Sequence, residues 1–194
     1  DSVPKEGDVK PVSGNSETET PAAETTPQGN AGTGAPAAGT TSQGNAGVAF
    51  IVLCFDIFKG FLPFLILQMY FHDISLLNKI LLCHFAILGH IYPVWLKFKG
   101  GKGVATYIGF LFGFNPYIAI LFLLVWLVTA FVSKYSSLGS LIAILVAPAY
   151  FIFFNFNLYI LIFFIYLTLI IYLKHTENIK RLINKSESKI KLSK

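Results

Sequence analysis

Long apolar runs separated by short polar breaks occupy the chain from about residue 48 to residue 173. A helix of about 20 predominantly apolar residues is long enough to cross the hydrocarbon layer of a bilayer. The pattern therefore predicts an all-α integral membrane protein, and we expect Pro148 to bend one of its helices. The predicted spans are Val48–Phe71, Leu77–Leu96, two helices within 103–132 that separate at Asn115-Pro116, Ser137–Phe154 and Asn157–Leu173.

Basic residues decide whether 103–132 forms one long tilted helix or a short helix followed by a full one. Lys and Arg in short loops are enriched on the cytoplasmic side of a membrane. Two helices place the lysines before residue 103, Lys134 and the basic residues after residue 173 on one side, with Lys79 as the single exception. One long helix would divide these basic loops between both sides. We therefore predict about six transmembrane helices, with both chain ends in the cytoplasm.

The first 47 residues differ in character from the rest of the chain. They are rich in small and polar residues, contain no aromatic residue, and repeat Gln-Gly-Asn-Ala-Gly at 28–32 and 43–47. Such a segment buries too little apolar surface to offset the entropy cost of ordering it. We predict a low-complexity disordered tail at 1–47, a transmembrane domain at 48–174 and a basic C-terminal segment at 175–194.

Composition and charge support this division. Apolar residues make up 54% of the chain and charged residues only 13%, against about 25% charged residues in a typical soluble domain. Residues 1–47 carry six acids and two lysines, a net charge of −4, whereas residues 48–194 carry thirteen basic and four acidic residues, a net charge of +9. The composition excludes a soluble domain, and the membrane part is more basic than the whole-chain charge of +5 suggests.

A loop rich in glycine and lysine is the clearest candidate for chemistry. Glycine weakens a helix by about 1 kcal/mol, and a lysine at bilayer depth costs roughly 2.5–3.5 kcal/mol, so this stretch is poor material for a membrane helix. It offers backbone N–H groups unobstructed by Cβ atoms beside ammonium groups, which suits a phosphate. We therefore predict an anion site, rather than a plain cytoplasmic turn, at Lys99-Gly100-Gly101-Lys102-Gly103 and on to Thr106.

A second cluster follows the last predicted span, in the segment HTENIKRL at 175–182. On a helix, His175, Asn178 and Arg181 share one face, which brings an imidazole, an amide and a guanidinium together at the membrane surface. The alternative, in which these residues carry no chemistry, is an interfacial basic helix attracted to anionic lipid. From these residues alone, both interpretations stay open.

Ionisable residues also lie inside the predicted spans. Asp56 and Lys59 are i, i+3 neighbours, so we interpret them as a buried ion pair that fixes helix packing near the site. His90 is a weaker site candidate. The sequence contains no Ser-His-Asp order, no HExxH motif, no metal-ligand spacing and no nucleic-acid-binding pattern. The residues alone therefore indicate a membrane-embedded anion site on the cytoplasmic face, with a histidine near it.

Three segments resemble the signatures of the acyl-phosphate:glycerol-3-phosphate acyltransferases, the PlsY family. The resemblance covers about residues 47–190, and the match of GGKGVAT at 100–106 is highly specific. GHIYP at 89–93 leading into FKGGKGVAT at 98–106 is similar to the second signature of the family. The segment at 175–182 is similar to its third signature in the HxxNIxRL form, and FDIFKGFLP at 55–63 is similar to its second helix.

The resemblance implies a bacterial inner-membrane enzyme whose active site faces the cytoplasm. It would transfer an acyl group from acyl phosphate to the 1-hydroxyl of glycerol 3-phosphate, giving lysophosphatidic acid and phosphate, with no cofactor or metal. An enzyme that synthesises acyl phosphate is a candidate partner. The implied catalytic residues are His175, Asn178 and Lys102, with either His175 or a substrate phosphate as general base. The implied substrate-binding residues are Gly100, Gly101, Gly103, Thr106, Lys99, Arg181 and His90.

The chain departs from the family pattern in two places. The family normally has seven transmembrane helices, and its first helix is followed by an SGNxGxTNxxR signature; here the polar tail occupies that position, and its similar segments at 13–15 and 44–47 do not fit. Lys185 stands where the third signature usually has a glycine before the acid that matches Glu187. We therefore expect slower turnover than in a version with the first helix and signature.

Two other functions stay open at this point. One is a small membrane transporter or channel for a phosphorylated anion, which the glycine-rich break and the ion pair within the first span would serve. The other is an inactive fragment of the acyltransferase, held in a membrane assembly.

Overall fold

The computed structural model describes residues 46–154 and 157–190, and all regular structure in these ranges is helical. The all-α prediction is confirmed. Residues 1–45 lie outside the described residues, and with them nearly all of the predicted disordered tail. The elements are α1 (Ala46–Tyr70), α2 (Leu76–Ile91), a 3-10 helix (Val94–Leu96), α3 (Val104–Phe114), α4 (Pro116–Ser133), α5 (Ser136–Ala143), α6 (Val146–Phe153), α7 (Leu158–Lys174) and α8 (Thr176–Ile183).

The predicted apolar segments are all helical, but they are not all long enough to cross a membrane. Within the described ranges, α7 has 17 residues and continues after a bend of 63° into α8, whereas α3 has only 11 residues. At 1.5 Å per residue, α3 spans about 16 Å, roughly half of the hydrocarbon layer. Helices α3 and α4 divide 103–132 into the predicted short helix followed by a full one. Among the described residues, the helices long and apolar enough to cross a membrane are Gly47–Tyr70, Leu76–Leu96, Pro116–Ser133 and Ser136–Phe153.

The break between α3 and α4 lies at Asn115 and Pro116, as predicted. The Asn115 side-chain oxygen accepts hydrogen bonds from the N–H groups of Tyr117 (3.0 Å) and Ile118 (3.4 Å), which caps the start of α4. Pro116 occupies the first helical position, where a missing N–H costs nothing. The polar pair therefore ends one helix and begins the next.

Pro148 interrupts the predicted span that contains it. Proline has no N–H for the carbonyl four residues earlier, and its ring clashes with that carbonyl. The residue concerned is Ile144, and the helix is interrupted at Ile144 and Leu145, between α5 and α6. The helix is therefore interrupted one turn before the proline.

Helices α1 and α3 pack backbone against backbone. A Cβ atom on Gly109 would lie 1.8 Å from the Ile57 carbonyl oxygen, and a Cβ atom on Gly60 would lie 2.0 Å from the Thr106 carbonyl oxygen. Small residues allow this close approach between helices in a membrane. The contact fixes α3, which follows the glycine-lysine loop, against the helix that carries Asp56.

Helix α3 lies in the core of the bundle. Its residues 105–111 are all buried, and Tyr107 and Phe110 are fully so. The ring of Phe64 in α1 meets Phe110 edge to face at 5.3 Å between centroids, and Phe151 in α6 stacks on Phe164 in α7 at 5.5 Å. These are the favoured arrangements of aromatic pairs. A helix enclosed by protein in this way need not match the thickness of the bilayer.

The basic loops meet at one end of the bundle. The Ile190 N–H donates a hydrogen bond to the Lys134 carbonyl oxygen (2.8 Å), which ties the C-terminal segment to the turn after α4. The Lys174 ammonium lies 4.1 Å from the centre of the Tyr92 ring, which ties the end of α7 to the end of α2. The candidate site lies at this basic end.

Candidate active site

The glycine-lysine loop connects the 3-10 helix to α3. Lys97 and Phe98 adopt left-handed backbone angles (φ 51° and 63°), and so does Gly103 (φ 84°), which is the N-cap of α3. Glycine adopts this conformation without the steric cost that a Cβ atom brings. The first N–H groups of a helix have no partner within it, so α3 begins with partial positive charge at the end of the loop.

Gly100 and Gly101 are required by close contacts rather than by their backbone angles. A Cβ atom on Gly100 would lie 2.1 Å from the His90 carbonyl oxygen, and one on Gly101 would lie 2.2 Å from the His90 Nε2 atom. The Gly101 N–H also donates a hydrogen bond to the His90 carbonyl oxygen (3.2 Å). The loop therefore lies directly on the last turn of α2.

Lys102 is the half-buried cation of the loop. The pKa of its ammonium is lowered, chiefly by burial; the Glu187 carboxylate acts to raise it and the Arg181 guanidinium to lower it. Among the described residues, the ammonium forms no hydrogen bond or ion pair. A cation that is partly desolvated and unpaired is well suited to bind an anion.

His175 lies at the bend between α7 and α8 and is 2% exposed. Its Nδ1 atom lies 2.8 Å from the Ile171 carbonyl oxygen, which can only accept a hydrogen bond. The proton is therefore on Nδ1, and Nε2 carries the lone pair. Burial lowers the pKa of the imidazole, the Ile171 carbonyl opposes this, and the charge of Lys102 lowers it further. His175 is thus a neutral imidazole whose Nε2 can accept a proton.

Asn178 and Arg181 lie three residues apart on α8, and both donate to one carboxylate. The Asn178 Nδ2 atom lies 2.7 Å from Glu187 Oε1, and the Arg181 Nε atom lies 2.6 Å from Glu187 Oε2. Asn178 is 1% exposed, whereas the Arg181 side chain is 46% exposed, so its outer nitrogens remain accessible. The carboxylate holds an amide and a guanidinium in fixed positions beside Lys102 and His175.

Glu187 owes its ionised state to these donors. Burial acts to raise the pKa of its carboxyl group, but Ser137, Arg181 and Asn178 together hold the pKa below its usual value. The Ser137 hydroxyl favours the carboxylate although its Oγ atom forms no hydrogen bond of normal geometry. Glu187 therefore carries a full negative charge at neutral pH.

The charges of this cluster leave an excess of one positive charge. Lys102 and Arg181 contribute two positive charges and Glu187 one negative charge, while His175 is neutral. Four buried polar atoms have no hydrogen-bond partner among the described residues: Thr106 Oγ1, Tyr107 Oη, Ser137 Oγ and Asn178 Oδ1. Buried polar groups are nearly always hydrogen-bonded, and Asn178 Oδ1 can only accept, so these atoms beside excess positive charge favour a ligand that carries both an anionic group and a hydroxyl donor.

A second polar group lies on the other side of the loop. The Lys59 ammonium lies 2.6 Å from an oxygen of the Asp56 carboxylate, and the His90 Nδ1 atom lies 3.5 Å from the same oxygen. The side chains of Asp56 and His90 are only 10% and 8% exposed. These three residues line a cavity of about 360 Å³ together with Gly100 and Gly101.

The predicted site residues therefore form two groups, joined by the loop. Lys102 acts electrostatically on the group that contains His175, Asn178 and Arg181. Gly100, Gly101 and His90 line the cavity with the Asp56–Lys59 pair. Gly103 and Thr106 lie at the start of α3, whereas Lys99 is exposed and lines neither group.

Two residues of the cluster were absent from the predicted site. Glu187 carried a usable signal, because it is the one acidic residue among the lysines of 185–194. Ser137 carried none, since a serine at the start of an apolar helix is unremarkable in sequence. Only the folded chain brings both beside α8.

Comparisons with known proteins show which family the chain resembles. The model of a family described as glycerol-3-phosphate acyltransferase matches residues 23–185. A glycerol-3-phosphate acyltransferase of Pelagibacter ubique (strain HTCC1062) is 44% identical over 146 residues, which cover 75% of this chain and 73% of the relative. One of Francisella tularensis subsp. tularensis (strain SCHU S4 / Schu 4) is 42% identical over 142 residues, which cover 73% and 68%.

Solved structures show the same similarity. The crystal structure of PlsY (YgiH), an integral membrane glycerol 3-phosphate acyltransferase, in its glycerol 3-phosphate form superimposes with a TM-score of 0.68 and 34% identity. The alignment covers 74% of this chain and 71% of that one. Its lysophosphatidic acid form gives a TM-score of 0.67 at the same identity.

Proposed function

The chain belongs to the glycerol-3-phosphate acyltransferase family, and from this membership and the site geometry we propose that it transfers an acyl group from acyl phosphate to the 1-hydroxyl of glycerol 3-phosphate. The products are lysophosphatidic acid and inorganic phosphate. The observation that carries the proposal is the cluster of Lys102, Arg181 and the neutral His175, which combines sites for anions with a base.

In the proposed reaction, the hydroxyl oxygen of glycerol 3-phosphate attacks the carbonyl carbon of acyl phosphate. The bond between that carbon and the phosphate oxygen breaks, and phosphate leaves with the electron pair. His175 Nε2 accepts the hydroxyl proton, for which its Nδ1–H bond to Ile171 orients the ring. Lys102 stabilises the negative charge that develops on the leaving phosphate.

The remaining residues of the site bind and orient the substrates. Arg181, held by Glu187, presents its outer nitrogens to the phosphate of glycerol 3-phosphate, and Asn178 Oδ1 can accept a hydrogen bond from a glycerol hydroxyl. The N–H groups of the loop other than those of Lys99 and Gly101, which are already hydrogen-bonded, and the N–H groups of the first turn of α3 bind the phosphate of the acyl donor, together with the Thr106 hydroxyl. Its acyl chain comes from the bilayer, and glycerol 3-phosphate from water.

The basic end of the bundle is the face that we assign to the cytoplasm of a bacterium, with the chain in the inner membrane. Positively charged loops favour the cytoplasmic side, and both phosphorylated substrates then bind at the same face. An enzyme that synthesises acyl phosphate would supply the donor.

The test is conversion of acyl phosphate and labelled glycerol 3-phosphate by the purified chain in liposomes. Lys102→Ala should lower the rate of lysophosphatidic acid formation by about 10²-fold or more, because it removes a charge that stabilises the transition state. Glu177→Gln is the control, since it removes one charge from an exposed ion pair on α8, outside the site. Unchanged turnover in Lys102→Ala would refute the assigned site, and uptake of glycerol 3-phosphate without acyl product would favour a transporter.

The role of His175 as base has its own test. His175→Asn keeps hydrogen-bonding capacity but cannot accept a proton at neutral pH, so we expect a loss of about 10²-fold in kcat. If kcat falls by less than about 3-fold, a substrate phosphate rather than His175 accepts the hydroxyl proton.

Fusion of a first helix and SGNxG signature to residue 46 should raise turnover, because further hydroxyl, amide and guanidinium groups would bind phosphate.

A further inference from the structure

We propose that Asp56 and His90 are positioning residues, which hold the Gly100-Gly101 part of the loop so that Lys102 faces the active site. The effect on turnover rests on the proposed function, whereas the effect on the loop itself does not. The inference concerns Asp56, Lys59 and His90, to which the proposed reaction gives no role.

His90 contacts the loop through both its backbone and its ring. Its carbonyl oxygen accepts the hydrogen bond of the Gly101 N–H at 3.2 Å. Its ring lies so close to Gly101 that a Cβ atom there would be 2.2 Å from Nε2 and 2.8 Å from Cε1. The hydrogen bond sets the distance between the loop and α2, and the imidazole ring limits lateral movement of the loop.

Packing alone does not hold this ring in place. The cavity of about 360 Å³ is bounded by His90, Asp56 and both glycines of the loop, so an imidazole that loses its partner has room to rotate away from Gly101. The polar group that faces Nδ1 is the Asp56 carboxylate, 3.5 Å away, a polar contact longer than an ordinary hydrogen bond, and we infer that it opposes rotation. The ring orientation therefore depends on a residue of α1.

Asp56 is itself held in position. Its carboxylate is 10% exposed and binds the Lys59 ammonium at 2.6 Å, so the charge is compensated. Gly60, the residue after Lys59, packs against the backbone of α3 at Thr106. Helix α1 therefore carries Asp56, which faces His90 beside the loop, and also packs against α3, which follows the loop. We therefore regard α1 as the fixed support of the loop.

Lys102 depends on this support more than its neighbours do. Asn178 and Arg181 are oriented by Glu187, and His175 by the Ile171 carbonyl. No described residue forms a hydrogen bond or ion pair with the Lys102 ammonium, so the backbone of the loop decides where it lies. A small displacement of a catalytic charge can cost about 10²-fold in rate.

Hydrogen exchange of the loop tests the inference without reference to activity. In Asp56→Asn, which weakens the hold on the ring, the amides of 99–103 should exchange at least about 3-fold faster than in the wild type. His90→Ala, which removes the ring and keeps the carbonyl, should give the same local increase. Exchange in α4 should be unchanged in both, and Glu177→Gln, which neutralises a carboxylate of an i, i+3 pair remote from the loop, should leave 99–103 unaffected. Unchanged exchange of 99–103 in both variants would overturn the inference.

Turnover supplies the second test. Asp56→Asn should lower kcat by about 10-fold while KM for glycerol 3-phosphate, which is bound by other residues, changes by less than about 2-fold. In a Lys102→Ala background the same substitution should have almost no further effect, because the residue through which it acts is gone. Independent, multiplicative losses would show a general structural role and overturn the inference. If the wild-type chain shows no turnover, the proposed function is contradicted. The hydrogen-exchange result would still decide whether Asp56 and His90 position the loop.

Discussion

Replacing Glu187 by Gln tests whether one carboxylate organises the active site. The variant keeps the shape of the side chain but removes its charge. Arg181 loses its ionic partner, which is worth about 0.5–1 kcal/mol because the arginine is 46% exposed. The buried hydrogen bond from Asn178 loses its charge assistance, which removes about 1 kcal/mol, roughly half of what a hydrogen bond to a charged group contributes. We therefore expect the free energy of unfolding to fall by about 1.5–2 kcal/mol.

Thermal unfolding in detergent measures this loss. For a chain of this size, 1 kcal/mol corresponds to about 2–4 °C in Tm, so Glu187→Gln should unfold about 3–8 °C below the wild type at pH 7. Glu177→Gln is the control, because Glu177 and Lys180 form an ion pair whose side chains are 69% and 70% exposed. Its Tm should change by no more than about 2 °C.

The pH dependence distinguishes this account from a packing effect. The pKa of Glu187 is lowered in the folded state, so its contribution to stability is present above the ordinary glutamate pKa of about 4.3 and is lost as the pH falls through the lowered value. Gln cannot titrate, so the gap in Tm between wild type and Glu187→Gln should narrow in acid. A gap of the same size at pH 7 and in acid would refute the reasoning.

Two further substitutions test the fold. Gly109→Ala would place a Cβ atom 1.8 Å from the Ile57 carbonyl oxygen, so we expect a loss of about 3 kcal/mol or more and little folded protein in size-exclusion chromatography; Gly89→Ala, whose Cβ atom would meet nothing within 4 Å, should fold normally. Lys185→Gly should raise the free energy of unfolding by about 0.5–1 kcal/mol in thermal unfolding, because φ is 55° there, whereas Lys185→Ala should not.

The sequence predicted helix ends best where the signal is local. Asn115 and Pro116 mark the start of α4, since an amide cap and a proline act on the next turn of the chain. Pro148 marks a break at Ile144 for the same reason. Such signals do not depend on how the chain packs, and they therefore gave the correct boundaries.

Packing decided what the sequence did not predict. The enclosure of α3 could not be predicted, because an apolar helix enclosed by protein has the same composition as one that spans lipid. The glycines of the loop were expected for their accessible N–H groups, but Gly100 and Gly101 are required by their contact with His90. Glu187 joins the site only because the chain folds back after α8, with Lys185 in the left-handed conformation that glycine would adopt more easily.

The central claim is that the cluster around Lys102 and His175 uses acyl phosphate as the acyl donor. The most direct measurement is the ratio of inorganic phosphate released to lysophosphatidic acid formed, with the purified chain in liposomes and an acyl thioester as the alternative donor. The account predicts one phosphate for each lysophosphatidic acid, no product from the thioester, and loss of both products in Lys102→Ala. Lysophosphatidic acid formed from the thioester, or phosphate released at an unchanged rate in Lys102→Ala, would contradict it.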